Sequence, residues 1–179
     1  MLDVMLVDDD SVVRRGLKEL IKWEELGARV VACAANGLEA MEILKERQID
    51  LVISDIKMPE MNGLHLAEYI YKNLPNTKII LLSAYGEFEY AKMAVQYDVM
   101  AYLLKPISRK SINELSELIR NEAVERERYL EIKRLMHSKE FKDRIINSVN
   151  DNDTALMNSI IEIEDNYRTS DMNAVREYY

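Results

Sequence analysis

Carboxylate, hydroxyl and ammonium side chains follow several short apolar stretches of this sequence. Asp8 and Asp9 come after the first stretch, and Asp55 comes after the third. Ser83 follows the fourth stretch, and Lys105 lies at the end of the fifth. Stretches of this kind are typical of parallel strands, and ligands of parallel sheets bind at the carboxyl ends of the strands. The pattern therefore predicts that these five side chains gather at one site.

Three carboxylates at one site require a compensating cation. Two like charges about 4 Å apart repel each other by about 4 kcal/mol at an effective dielectric constant near 20. Because Mg²⁺ prefers oxygen ligands, Asp8, Asp9 and Asp55 are predicted to hold Mg²⁺. Ser83 and Lys105 extend the possible chemistry, since a metal ion, an ammonium and a hydroxyl can together neutralise the oxygens of a transferring phosphoryl group.

Predicted strands and helices alternate through the first 120 residues, and these elements must position the five side chains. Strict alternation of strands and helices predicts a parallel sheet with right-handed crossovers and helices on both faces. Asp10 is interpreted as the N-cap of the first helix rather than a metal ligand, and Asn36 as the N-cap of the second. Strands are predicted at 2–7, 29–33, 51–54, 78–82 and 100–104, and helices at 11–22, 37–47, 62–72 and 88–97, with a long helix from residue 109.

The strand pattern stops after residue 109. Ile112, Leu115 and Ile119 begin an apolar repeat with spacings of three to four residues, which favours one long helix that ends or is interrupted near residue 150. Two short helices are predicted beyond it, at 154–166 and 171–179. The sequence thus predicts a domain over residues 1–120 and a helical extension over residues 121–179.

The sequence around Asp55 resembles the phosphorylation site of a known family. The stretch 55–63, DIKMPEMNG, is similar to the signature of the receiver domains of bacterial two-component response regulators. The acidic pair Asp8-Asp9, Ser83-Ala84 and Lys105-Pro106 resemble the same family, and the resemblance covers about residues 1–120. It implies a flavodoxin-like α/β fold, with a five-stranded parallel sheet in the order 2-1-3-4-5 and an all-helical C-terminal extension.

The resemblance also implies the role of each acidic residue. Asp55 would be the phosphoacceptor, and it would receive its phosphoryl group from a sensor histidine kinase. Asp8, Asp9 and Asp55 would hold Mg²⁺, together with the backbone carbonyl of Lys57. Beyond Mg²⁺-dependent self-phosphorylation and slow autodephosphorylation, no enzymatic turnover would be expected.

Three further residues take roles from the resemblance. Lys105 would pair with the phosphoryl group and precede a cis Pro106. Ser83 would be the switch hydroxyl, drawn toward the phosphoryl group, and Tyr102 the switch aromatic that fills the vacated space. Such a switch is a shift of population between two packings.

Two further stretches narrow the resemblance. WEELG at 23–27 and SAYGEFEYAK at 83–92 are similar to receivers joined to AraC-type helix-turn-helix domains. Residues 121–179 would then be a helical linker, truncated before a DNA-binding effector domain. A homodimer is predicted through the face of the fourth helix, fifth strand and fifth helix, and through the long C-terminal helix. Asp98 departs from the family, which usually has Gly there, and this puts the geometry of that turn in doubt.

Composition limits the partners. The formal net charge is −8 and no dense basic patch is present, so that DNA would be bound only through the missing effector domain. No apolar run approaches the roughly 20 residues of a membrane span, which favours a cytoplasmic protein without membrane contact. The single cysteine, Cys33, is predicted to be a buried strand residue. His65 and His137 have no partner at metal-ligand spacing and are interpreted as surface or packing residues.

Three other functions fit these residues less well. Asp8-x-Asp10-x-Val12 fits the nucleophile motif of haloacid-dehalogenase-like phosphatases, but the acidic pair that this family needs after its lysine is missing after Lys105. Flavin binding would need a phosphate loop where Asp8, Asp9 and Asp10 stand, and these carboxylates would repel a phosphate. A phosphorylation-independent interaction module would leave the complete site without a purpose.

Overall fold

A computed structural model gives the structure of residues 1–84 and 88–138. In these residues five parallel strands form one sheet in the order β2-β1-β3-β4-β5, as expected for the flavodoxin-like fold. The strands are β1 (Leu2–Val7), β2 (Ala28–Ala34), β3 (Leu51–Asp55), β4 (Lys78–Ser83) and β5 (Ala101–Leu104). The helices are α1 (Ser11–Leu20), α2 (Gly37–Glu46), α3 (Gly63–Asn73), α4 (Phe88–Gln96) and α5 (Arg109–His137). The helices predicted at 154–166 and 171–179 lie outside the described residues.

Two hydrophobic cores cover the two faces of the sheet. One core packs α2, α3 and α4 against the sheet, and the other packs α1 and α5 against the opposite face. Every residue of β3 is buried, as predicted for a central strand covered on both faces. The apolar sheet residues therefore hold the carboxyl ends of β1, β3 and β4 at fixed positions beside one another.

Side-chain caps fix where the first two helices begin. The carboxylate of Asp10 accepts the backbone N–H of Val12 at 2.7 Å. The side chain of Asn36 accepts the N–H of Glu39 at 2.8 Å. Both contacts satisfy N–H groups that the first helical turn leaves without partners, so that both predicted N-caps are confirmed.

The first helix is shorter than predicted. α1 ends at Leu20 instead of residue 22, and a short 3₁₀ helix, Trp23–Leu26, follows it. The 3₁₀ helix is closed by Gly27, whose φ of 73° lies in the left-handed region that glycine adopts without steric cost. Trp23 is buried against the core beside α1, and its indole N–H donates to the carbonyl of Lys18 at 3.2 Å.

The prediction that Cys33 is buried is wrong. Cys33 is exposed, because β2 is an edge strand that pairs only with β1. The pairing of β2 with β1 shifts register between Val4 and Met5, and both Arg29 and Cys33 on β2 are exposed to solvent. An apolar run of sequence is thus not sufficient to distinguish an edge strand from a central one.

The turn before β5 accommodates the departure at Asp98. Asp98 has a φ of 50°, in the left-handed region. Asp and Asn occupy this region more readily than most residues other than Gly, because their short polar side chains can form local hydrogen bonds. The turn therefore keeps the backbone conformation that a glycine would adopt.

The chain divides into two compact units, and the boundary between them falls within the long helix α5. The first unit is Met1–Arg126, and the second begins at Glu127. Within the first unit, Arg126 forms an ion pair with Asp50 at 2.8 Å, and Asp50 also accepts the backbone N–H of Asp3 at 2.9 Å. Burial raises the pKa of nearby Glu122, against the opposing effects of Lys78 and Arg126. No helix in the described ranges is both long and apolar enough to cross a membrane.

Candidate metal and phosphoryl-transfer site

The carboxyl ends of β1 and β3 bring three aspartates together. Carboxylate oxygens of Asp8, Asp9 and Asp55 lie within 4.8 Å of one another. Asp8 is 1% exposed and Asp55 is 6% exposed, whereas Asp9 is exposed to solvent. Asp8 and Asp9 follow β1, and Asp55 is the last residue of the neighbouring strand β3. The clustering predicted from the strand ends is therefore present.

Lys105, which directly follows β5, joins this cluster. Its Nζ atom lies 2.8 Å from Oδ2 of Asp8 and 3.0 Å from Oδ1 of Asp55. The second oxygen of Asp8, Oδ1, accepts the backbone N–H of Asp10 at 2.9 Å. The peptide bond between Lys105 and Pro106 is cis, as the family resemblance implied. One ammonium thus bridges two buried carboxylates that come from different strands.

The electrostatic environment of Asp55 opposes its charged form. Burial raises the pKa of Asp55, and the negative charge of Asp8 raises it further, whereas contact with Lys105 lowers it. For Lys105 burial alone would lower the pKa, but the hydrogen bonds to Asp8 and Asp55 outweigh it, so the pKa of Lys105 is raised. Lys105 therefore stays protonated, and the Asp55 carboxylate is held in a site that does not fully compensate its charge.

Close backbone packing shapes the loop after Asp55. The N–H of Gly63, the first residue of α3, donates to the carbonyl of Ile56 at 2.9 Å. A Cβ at Gly63 would collide with the backbone carbonyl of Asp55, so only glycine fits at this position. The loop is also fixed from the side of α2, because the N–H of Gly37 donates to the carbonyl of Met61 at 3.0 Å.

The remaining predicted site residues lie on β4, β5 and the loop after β3. Ser83 is 1% exposed and ends β4, next to the end of β3, since Asp55 pairs with Leu82 in the sheet register. Tyr102 lies on β5, partly buried against the core that contains α3 and α4. Lys57 is exposed two residues after Asp55. The structure thus places Ser83 beside the acidic cluster, and Tyr102 on the adjacent strand.

Two neighbours of the site were not predicted. The guanidinium of Arg14 on α1 donates to the backbone carbonyl of Asp8. The ammonium of Lys57 lies 5.8 Å from the ring centroid of Tyr90 on α4. The position of Arg14 near the site could have been predicted from the sequence, because side chains in a first helical turn lean toward the helix N-terminus and so toward the loop after β1. The contact of Tyr90 with Lys57 could not have been predicted in this way, since the two residues are distant in the sequence.

The donor set fits Mg²⁺. All three candidate side chains offer carboxylate oxygens, which are the ligands that this ion prefers over nitrogen or sulfur. Three carboxylates against the one ammonium of Lys105 leave two uncompensated negative charges, and a divalent cation would balance them. The exposure of Asp9 gives a route for a hydrated ion to reach the buried pair, Asp8 and Asp55.

Mg²⁺ should stabilise the protein through Asp9. We expect Mg²⁺ to raise the thermal unfolding midpoint of the wild type, because at about 100 times its Kd a ligand of the folded state adds about 2.7 kcal/mol. Asp9→Asn removes one ligand charge from an exposed position, and most of this increase should be lost. Differential scanning fluorimetry with and without MgCl₂ measures it. Asp10→Asn, which retains an N-cap residue, is the control; an equal response of Asp9→Asn and wild type would exclude Asp9 as a ligand.

Comparison with known proteins identifies the family. The family model "Response regulator receiver domain" matches residues 4–117. The chain therefore belongs to the response regulator receiver domain family. The sheet order described above is that of the CheY-like fold.

Relatives and solved structures agree with this assignment. The chain is 42% identical over 120 residues to the uncharacterized transcriptional regulatory protein YesN of Bacillus subtilis, an alignment covering 66% of this chain and 33% of YesN. It is 38% identical over 112 residues to the transcriptional regulatory protein HptR of Staphylococcus aureus, covering 63% and 44%. The REC domain of AraT from Geobacillus stearothermophilus superposes with a TM-score of 0.64 at 35% identity, covering 71% of this chain and 98% of that domain.

A second solved structure shows the same fold. The CheY-like receiver domain protein of Methanospirillum hungatei superposes with a TM-score of 0.63 at 27% identity, over 72% of this chain and 98% of that one. The curated relatives are longer than the part matched here, since the chain spans 33% of YesN and 44% of HptR. The similarity therefore concerns the receiver domain. The remaining parts of YesN and HptR are not aligned with this chain.

Proposed function

We propose that this chain accepts a phosphoryl group on Asp55 from a sensor histidine kinase and passes the signal to a transcriptional output. The observation that carries the proposal is the buried Asp55 carboxylate, held 3.0 Å from the ammonium of Lys105 and within 4.8 Å of two further carboxylates. Family membership supports the kinase as the partner. No other residue set in the described chain combines a buried nucleophile, a cation and a candidate metal site.

The transfer would proceed by attack of a carboxylate oxygen of Asp55 on phosphorus. A new P–O bond forms as the P–N bond of the donor phosphohistidine breaks, and the electron pair of that bond stays on the imidazole nitrogen. Lys105 is placed to neutralise a phosphoryl oxygen, and the hydroxyl of Ser83 to donate to another. Mg²⁺, bound by Asp8, Asp9, Asp55 and the carbonyl of Lys57, would neutralise negative charge on the transferred group.

The response to phosphorylation would use Ser83 and Tyr102. Both lie on strands next to the site, Ser83 buried and Tyr102 partly buried in the core that packs α4. A phosphoryl group that draws Ser83 toward Asp55 leaves space into which Tyr102 moves. Because these contacts are made only in the active packing, phosphorylation shifts the population toward that packing.

The output would be transcriptional and would come from a part of the protein outside this chain. YesN and HptR are named as transcriptional regulatory proteins, and both are more than twice as long as the segment they share with this chain. The sequence motifs at 23–27 and 83–92 favour an AraC-type DNA-binding domain. A net charge of −8 supports the view that this chain does not itself bind DNA. We place the protein in the cytoplasm, where the cytoplasmic portion of a sensor kinase is accessible.

We further propose that the chain is not a turnover enzyme. Its phosphoryl chemistry is limited to one acceptor carboxylate, Asp55, followed by slow loss of the phosphoryl group. The acidic residues that could hold a metal in the described chain are all part of this one site. Steady hydrolysis of a phosphomonoester would contradict the proposal.

Phosphorylation should also promote self-association. Phe88 and Val95 on α4 and Leu104 on β5 are exposed, at 79%, 82% and 52%. We propose that these apolar side chains, on two elements that are consecutive in the chain, form part of the dimer interface. On α5, Val124 and Leu135 are exposed and could contribute to a helical seam. We expect analytical ultracentrifugation to show a dimer with beryllofluoride and Mg²⁺, whereas sedimentation as a monomer in both states would exclude this.

The proposed function is tested by phosphorylation in vitro. The protein is incubated with acetyl phosphate and Mg²⁺, which replace the kinase as phosphoryl donor. Intact-mass spectrometry should show the addition of one phosphoryl group. Reduction with borohydride, which converts an aspartyl phosphate to homoserine, followed by peptide mapping, should place it at Asp55. A mass that does not change, in protein shown to be folded, would contradict the proposal.

A further inference from the structure

Lys57 and Tyr90 connect the loop after Asp55 to α4. Lys57 is exposed, and its ammonium lies 5.8 Å from the ring centroid of Tyr90, within the distance of a cation–π interaction. Tyr90 is partly buried and packs against the core formed by α2, α3 and α4. The contact therefore joins the loop that follows the acceptor residue to helix α4.

Lys57 is also within reach of the acceptor. Two residues of extended chain span about 7 Å, and a lysine side chain adds four methylene groups beyond the backbone. Rotation about these bonds can carry the ammonium from the Tyr90 ring toward Asp55 without moving the backbone of the loop. The Lys57 ammonium can thus contact the Tyr90 ring on α4 or a group at the site.

The charge of the site decides between the two partners. With Mg²⁺ bound, the three carboxylates and Lys105 leave no net formal charge, and the site attracts no further cation. Phosphorylation replaces the single charge of Asp55 by about −2, which leaves one uncompensated negative charge. A hydrogen bond from an ammonium to a phosphoryl oxygen is stronger than an exposed cation–π contact.

We propose that the contact between Lys57 and Tyr90 is a coupling element that holds α4 against the loop while Asp55 is unmodified. Phosphorylation of Asp55 transfers the Lys57 ammonium from the ring to the phosphoryl oxygens, and Tyr90 and α4 are released. The inference rests on the proposed function of Asp55. It assigns to Lys57 a side-chain role that is separate from the metal contact of its backbone carbonyl.

A consequence follows for the affinity of a phosphoryl mimic. Removing the ring destabilises only the resting state, because Lys57 keeps its charge and its reach to the site. Tyr90→Leu should therefore bind beryllofluoride, in the presence of Mg²⁺, about two- to fivefold more tightly than the wild type, the range given by one exposed cation–π contact. Tyr90→Phe keeps the ring and should match the wild type.

The experiment combines NMR with this titration. In the wild type, the side-chain methylene protons of Lys57 should be shifted upfield by the ring current of Tyr90. They should move to an unshifted position when beryllofluoride and Mg²⁺ are added. Titration of wild type, Tyr90→Phe and Tyr90→Leu gives the affinities. In the Lys57→Met background, Tyr90→Leu should have no effect on affinity, because the two residues act through one contact.

The outcomes separate this inference from the proposed function. If the wild type binds beryllofluoride but Lys57 stays on the ring, or if Tyr90→Leu has the wild-type affinity, the coupling element is excluded and the acceptor site stands. If Tyr90→Leu has the same effect with and without Lys57, the ring acts through packing and the inference is likewise excluded. Absence of any beryllofluoride binding by the folded wild type would overturn the acceptor site itself.

Discussion

Asp55→Asn should abolish phosphoryl uptake while leaving the protein folded. After incubation with acetyl phosphate and Mg²⁺, we expect the intact mass of the variant to stay unchanged, whereas the wild type gains one phosphoryl group. The amide lacks the anionic oxygen that attacks phosphorus, and its nitrogen is a poor nucleophile. Because burial raises the pKa of Asp55, the wild-type charge is disfavoured by the fold, and a neutral side chain of the same shape is tolerated.

The control for this prediction is another aspartate beside the site. Asp10 lies two residues after Asp8 and caps α1 through a 2.7 Å hydrogen bond to Val12. Asp10→Asn keeps a favourable N-cap residue and removes the same charge, so that it should take up the phosphoryl group like the wild type. Circular dichroism confirms that both variants are folded. Uptake by Asp55→Asn, or mapping of the phosphoryl group to Asp8 or Asp9, would assign the acceptor to another residue.

The site could be predicted because strand ends are readable in this sequence. The apolar run 51–54 is bounded by Asp55, and the first strand by Asp8 and Asp9, so that parallel pairing alone places their carboxylates together. The predicted bounds of β1 are those observed; β2 is one residue longer at each end, and the other three strands differ by one residue at one end. Strand bounds are easy to predict in parallel sheets, because the central strands are apolar on both faces and end where polar residues begin.

Other features depend on contacts that a local pattern does not encode. The exposure of Cys33 follows from the position of β2 at the sheet edge, which only the pairing order reveals. The end of α1 is set by the 3₁₀ helix and by the left-handed Gly27, not by the hydrophobic period that continues past Leu20. The contact between Lys57 and Tyr90 joins residues on separate elements. Residue roles in phosphoryl transfer and the domain division at residue 120 stay predictions.

Lys105→Met should destabilise the folded protein strongly at neutral pH in the absence of Mg²⁺. Lys105 is the ammonium that bridges Asp8 and Asp55, at 2.8 and 3.0 Å, and its side chain is 19% exposed. Removing one partner of a buried ion pair leaves an uncompensated charge, which costs about 3 kcal/mol at the lower end of the observed range. Urea denaturation monitored by circular dichroism measures the loss in the free energy of unfolding.

The destabilisation of Lys105→Met should depend on pH. Contact with Lys105 lowers the pKa of Asp55, so its removal raises that pKa further above its ordinary value. Below the pKa of the unfolded state, the carboxyl is protonated in both states and contributes nothing. As the pH rises through the raised folded pKa, the folded state must hold a buried charge that the unfolded state holds in water. The free energy of unfolding of the variant should therefore fall, relative to the wild type, from acidic to neutral pH.

A cation that enters the site should reverse this loss, and an unrelated lysine should not show it. Mg²⁺ at neutral pH supplies positive charge between the carboxylates of Asp8 and Asp55, so it should stabilise Lys105→Met by more than it stabilises the wild type. Lys45 forms an exposed ion pair with Glu42 on α2, and Lys45→Met should change the free energy of unfolding little at any pH, because water screens exposed ion pairs. The loss of stability in Lys105→Met could instead be equal at acidic and neutral pH and insensitive to Mg²⁺. Lys105 would then act through packing of its methylene chain. This result would exclude Lys105 as the balancing charge of the acceptor site.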